Sequence, residues 1–165
     1  MLDFNSIDSL KAEGFAGFAS VAELWQDHSR IPREVGVYLV LNPNPGAGFI
    51  ARGVGGFFKG KDPNVPVEEL KKRLVQNSLV VYIGKAGSTG GKATLYSRLI
   101  QYLKFGQGRN IGHWGGRHIW QLDNHRDLVF CWKPTPEEEP RNVERRLIEF
   151  YKTQFGRLPF ANLSS

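Results

Sequence analysis

Leu79-Val-Val-Tyr-Ile83 is a run of five apolar or aromatic residues, and Gly84 with the loop Lys85-Ala-Gly-Ser-Thr-Gly-Gly-Lys92 closes it. Side chains of this kind fit a pleated, buried surface, so the run predicts a strand. From about Thr94 to Phe105 the pattern turns helical: Leu95, Tyr96, Leu99, Ile100 and Leu103 fall on one stripe, with Arg98 and Tyr102 beside it one turn apart. Gly106 and Gly108 stop this helix, and a second glycine-rich loop runs to Gly116.

Working outward, Gly36-Val-Tyr-Leu-Val-Leu41 is a second strand of the same character, closed by Asn42-Pro-Asn-Pro-Gly46. Residues 42–78 read as an insertion between the two strands, glycine-rich at first. Pro66 then opens an amphipathic segment with Val67, Leu70 and Leu74 inward and Lys71, Lys72 and Arg73 outward. Residues 1–34 read as a helical extension: Ser6 to Lys11 is one short helix, and Ser20-Val-Ala-Glu23 has capping-box spacing for another, ended by Pro32.

Downstream, His118–Leu122 and Leu128–Trp132 are strand candidates joined by a turn at Asp123–Asp127. Pro134 to Pro140 leads into a final helix of about Arg141 to Phe155. The order strand, strand, helix, strand, strand, helix predicts a single α+β domain over residues 1–165, with a small, mainly antiparallel central sheet flanked by helices.

The 165 residues are 41% hydrophobic and 23% charged, which suits a packed core and excludes a solvating linker. No apolar run is long enough to span a bilayer and the acidic N-terminus is no signal peptide, so a cytoplasmic protein with no membrane partner is expected. The one cysteine, Cys131, excludes an internal disulfide and a cysteine-based zinc site. Subtracting 16 acids from 22 bases gives +6, so a polyanion is the first partner to consider.

The loop ending at Lys92 is not a nucleotide-binding phosphate loop, because Ala86 and Ala93 stand where that pattern requires Gly and Ser or Thr. On the last helix, about 100° per residue puts Glu144 inside the apolar arc of Val143, Leu147, Ile148 and Tyr151, and Glu149 on the solvent side. A carboxylate on a buried face must be neutralised, paired with a cation or bound to a metal. A structural salt bridge and a metal ligand both satisfy that requirement. Glu137-Glu-Glu139 is a helix-start charge run.

These residues, taken together, resemble the GIY-YIG nuclease family. Gly36-Val-Tyr38 looks like its first signature and Tyr82-Ile-Gly84 its second, with Arg98 and Glu144 matching its hallmarks on the two helices. Tyr82-Ile-Gly-Lys-Ala86 continuing to Ser97-Arg-Leu-Ile-Gln-Tyr102 is similar to the family's nuclease domain in the bacterial excinuclease, and Leu158-Pro-Phe-Ala-Asn162 to the closing motif. The signatures are unusually far apart, 82 − 38 = 44 positions, as in the family's restriction enzymes with long insertions.

The resemblance implies a metal-dependent DNA endonuclease of repair or restriction, hydrolysing phosphodiester bonds with one Mg²⁺ or Mn²⁺ held by Glu144. Tyr82 would be the general base, Tyr38 a water positioner or proton relay, Arg98 the phosphate clamp, and Tyr102 a phosphate or water contact. Lys85 and Asn162 complete the implied catalytic set. A free tyrosine ionises near pH 10, so a base at neutral pH needs nearby cations, and Lys85 and Arg98 are expected to lower the Tyr82 value. Cross-strand packing accounts equally for the two signature tyrosines taken alone, as a solvated loop position does for Lys85.

Gly84, Arg109, His113 and Arg117 are the expected substrate contacts, the last three on a mobile glycine-rich loop. Two other readings stand beside the nuclease: a non-catalytic nucleic-acid-binding module on the same fold, and a basic adaptor for a protein partner. Monomer and homodimer are both open.

Overall fold

The computed structural model describes residues 1–164. Its elements in order are α1 (Ile7–Ala12), β1 (Ala16–Ser20), α2 (Val21–Gln26), β2 (Gly36–Leu41), α3 (Val67–Arg73), β3 (Val80–Ala86), α4 (Leu95–Phe105), β4 (Val129–Pro134) and α5 (Pro140–Phe155), with short 3-10 turns at Phe58–Gly60, Trp114–Gln121 and His125–Asp127. The four strands form one antiparallel sheet in the order β1-β4-β2-β3. This is the α+β architecture expected, a small antiparallel sheet flanked by helices.

The helix boundaries follow from local chemistry. The Ser20–Glu23 capping box opens α2, and Thr94 and Ser97 form a reciprocal box at the start of α4. Pro140 occupies the first turn of α5, where a missing N–H is harmless, and Gly156 ends it at φ 77°.

Alternation along β2 separates two cores. Val37, Leu39 and Leu41 face α1 and α5, packing with Ile83, Val143, Leu147 and Tyr151. Tyr38 and Val40 face α2, α4 and the Trp114–Gln121 turn, packing with Tyr82, Leu99, Tyr102 and Trp120. Burying a leucine such as Leu99 or Leu147 stabilises by roughly 1.5–3 kcal/mol, so the helices are held mainly through these faces.

Three differences from the sequence reading have physical reasons. The segment His118–Leu122 is no strand; it lies mostly within a 3-10 turn, because the place beside β4 is taken by β1. That strand, Ala-Gly-Phe-Ala-Ser, arises within the stretch read as helical; it is poor in β-branched residues and irregular at Gly17 and Phe18, so its pattern is weak. Finally, β3 runs two residues past Gly84, which puts Lys85 on a strand rather than in a loop.

The outer edge of β3 is covered by the chain's last segment. Ala161 N donates to Val81 O, and the Asn162 amide accepts from Ile83 N and donates to Ile83 O, at 2.8, 3.0 and 2.9 Å. An otherwise free strand edge is thereby paired.

Candidate active site

The register of β2 on β3 sets Tyr38 opposite Gly84 and Val40 opposite Tyr82. Tyr38 and Tyr82 therefore share one face, diagonal to each other, with ring centroids 6.1 Å apart. The glycine of the second signature makes this possible: a Cβ at Gly84 would sit 2.6 Å from the Tyr38 hydroxyl oxygen. Gly84 is buried beneath that ring and offers no surface to a substrate, contrary to expectation.

Arg98 comes from α4 and is half-buried, donating to Gly112 O and Gln101 Oε1 at 3.3 Å each. Its charge favours the ionised forms of Tyr38, Tyr82 and Tyr102. Glu144 comes from α5, on its partly buried side as the periodicity required, while Glu149 is exposed and paired with Lys152. Burial raises the Glu144 carboxyl above its ordinary range, with Lys85, Arg141 and Arg98 acting against that shift. Tyr82, Glu144, Asn162 and Gly115 line one open cleft of about 210 Å³.

The expected lowering of the Tyr82 value is overturned. Desolvation outweighs the Arg98 cation and the Tyr38 hydroxyl, and pushes Tyr82 up to about 12. Tyr38 and Tyr102, fully buried, stand well above 10 for the same reason. At pH 8 a phenol of that kind is ionised to only about 0.01%.

Other expected site residues take different places. Tyr102 is no phosphate contact: it is 0% exposed, and its hydroxyl donates to Gly116 O at 2.6 Å. The loop after α4 folds back over this flank, so the buried side of the helix includes Tyr102 while Tyr96 is left partly exposed under Arg33. His113 is no substrate contact either, being 1% exposed; its Nε2 lies 2.5 Å from the Tyr38 hydroxyl and its ring stacks on Tyr102 at 3.5 Å.

Asn162 is occupied at both ends of its amide by Ile83, so it holds the cleft wall rather than a reacting group. Arg109 is exposed, with no hydrogen bond or ion pair from its side chain among the described residues. Arg117 lies 4.4 Å over the Trp114 ring and donates to Trp114 O, next to the cleft residue Gly115.

Two neighbours escaped the sequence reading as functional candidates. Arg73 and Arg157 line a second cleft of about 210 Å³ that shares Asn162 with the first. The basic end of the amphipathic segment was the only signal for Arg73, and nothing in the pattern around Arg157 marked it.

Among the described residues no group of three or more His, Cys, Asp and Glu is placed to hold a metal ion. A hard divalent cation bound by one carboxylate, with water and phosphate oxygens completing its shell, needs no such group. Glu144 on an open cleft fits that donor set. Comparisons of the chain with family models, curated proteins and solved structures find no match.

No helix in the described residues is long and apolar enough to cross a membrane.

Proposed function

We propose that the chain is a metal-dependent DNA endonuclease of the GIY-YIG type, hydrolysing one phosphodiester bond at the Tyr82–Glu144 cleft. The observation that carries this reading is a cluster of two phenols, a guanidinium and a lone carboxylate from β2, β3, α4 and α5, in which Arg98 and Glu144 act on both tyrosines and Tyr82 and Glu144 line one cleft. Packing alone asks for none of the charges.

Glu144 would hold one Mg²⁺ or Mn²⁺, which when bound supplies Lewis-acid stabilisation of the phosphate oxygens. Arg98 offers its guanidinium to the negative charge that builds on the non-bridging oxygens, and Lys85 adds a second cation on the α5 side. Tyr82, at the cleft, orients the attacking water. Because its phenol is protonated, it takes a proton from water only as its own proton moves inward or as charge entering the cleft stabilises the phenolate.

Beyond Asn162 the second cleft carries Arg73 and Arg157, cations suited to contacts with a DNA backbone. A cytoplasmic site of action is part of the proposal, and the buried free thiol of Cys131 is compatible with it. The raised Tyr82 value favours a second reading, a binding module that does not cut.

The test is incubation of supercoiled plasmid with Mg²⁺ or Mn²⁺, comparing the parent with Glu144→Ala and Tyr82→Phe. Nicking or linearisation by the parent, reduced by roughly 10²–10⁴-fold in Tyr82→Phe and at least as far in Glu144→Ala, supports the nuclease. Salt-dependent DNA binding without cleavage by any of the three supports the binder.

A further inference from the structure

His113 is held more firmly than a loop residue needs to be. Its imidazole is stacked flat on Tyr102, with 7° between the planes, and contacts Tyr82 edge-on with centroids 5.8 Å apart. Its Nε2 lies at hydrogen-bond distance from the Tyr38 hydroxyl, and its Nδ1 meets no partner outside its own backbone. Burial and the Arg98 charge keep the ring neutral, so one nitrogen carries a proton and the other is bare. With the proton on Nδ1, beside its own carbonyl, Nε2 accepts from Tyr38.

We propose that His113 is a positioning residue for the hydrolytic reaction, fixing the Tyr38 hydroxyl through its Nε2 so that the tyrosine pair turns its protons inward. The proposal rests on the nuclease reading above. A phenol that aims its proton at the cleft offers water a donor; one that aims it inward offers a lone pair, which is what an attacking water needs. When Tyr38 donates to His113, its proton is drawn away from the neighbouring Tyr82 and its oxygen is left able to accept from that hydroxyl, which would turn the Tyr82 lone pair to the cleft. His113 touches neither the cleft nor the substrate, and acts only through Tyr38.

The test uses the full chain and a fluorescently labelled DNA duplex that the parent cuts, with kcat and KM measured separately. His113→Leu removes the Nε2 partner and is expected to lower kcat about 100-fold with KM within about twofold of the parent. His113→Gln restores a polar group at that position, with kcat returning to within about tenfold of the parent. In a Tyr38→Phe background, His113→Leu is expected to add nothing, since the bond it removes is already gone.

Equal losses in the Leu and Gln variants, or an undiminished loss from His113→Leu in the Tyr38→Phe background, would overturn the positioning role while leaving the nuclease intact. A parent that cuts neither plasmid nor genomic DNA with either metal overturns both. Melting temperatures of all variants are recorded alongside; a kcat loss that merely follows the fraction unfolded counts against the proposal.

Discussion

The two faces of the sheet each bury a tyrosine whose ionisation is pushed up to about 12, Tyr82 on the α4 side and Tyr151 on the α5 side. Tyr151 shares its hydroxyl with Ser78 at 2.7 Å, Ser78 passes the bond on to Val80 O, and the ring packs against Phe4 and Phe155. That is a closed, satisfied structural network. Tyr82 opens on a cleft, with Arg98 and Glu144 both acting on it. A shifted value therefore does not by itself mark a candidate site: Arg157 acts on Tyr151 as Arg98 does on Tyr82, and what sets Tyr82 apart is an open cleft shared with the Glu144 carboxylate.

The comparison is broken most forcefully at Gly84. Gly84→Ala drives a methyl into the Tyr38 ring, and overpacking of this kind destabilises by about 1–3 kcal/mol. Urea unfolding should show that loss, and the cleavage rate should fall further than the unfolded fraction accounts for, since Tyr38 must move. An alanine variant with parental stability and rate would mean that the cross-strand arrangement does not matter.

Next comes acid. His118 is buried near Arg117 and Arg73, and desolvation, with those cations, lowers it to about 4. The unfolded chain binds this proton near pH 6.5 and the folded chain resists it, so its contribution to stability is full above pH 6.5 and is lost as pH falls toward 4. The expected loss is on the order of 2 kcal/mol. His118→Gln should flatten melting temperature against pH across that window; an unchanged slope would assign the acid sensitivity elsewhere.

A smaller effect sharpens the contrast directly. Tyr151→Phe removes the bond to Ser78 and should cost about 1 kcal/mol in urea unfolding, with DNA cleavage unchanged. Tyr82→Phe should do the reverse, sparing stability and losing cleavage. Matching profiles for the two variants would erase the distinction between the faces.

How far the sequence could be read follows the same division. β2, β3, α4 and α5 were legible because burial on one side gives a period of 2 or 3.6, and because Thr94, Pro140 and Gly156 mark helix ends locally. The side of α5 that carries Glu144 was legible for the same reason. β1 was not, since an Ala-Gly-Phe-Ala-Ser strand is specified by its partner rather than by its own residues.

At the site, helical spacing marked Glu144 and set Arg98 beside Tyr102, and the resemblance alone singled out Tyr38 and Tyr82; burial was legible from neither. The loop from Gly106 to Gln121 covers Tyr102, takes His113 inside and raises the phenols; no periodicity foretells where an irregular loop folds back. That is why Tyr102 and His113, expected at the substrate, are internal, whereas Gly84 is internal because the Tyr38 ring lies over it. It is also why Lys85 and Arg98 were expected to win against desolvation at Tyr82 and do not.

The most direct test of the central claim is the single-turnover rate of plasmid cleavage for the parent, Arg98→Gln, Glu144→Gln and the double variant. If the guanidinium and the carboxylate act on one linkage, each single variant loses roughly 10²–10³-fold and the double is little slower than the worse of the two. Singles that cut at the parental rate, or a double whose loss is the full product of the two, would contradict it.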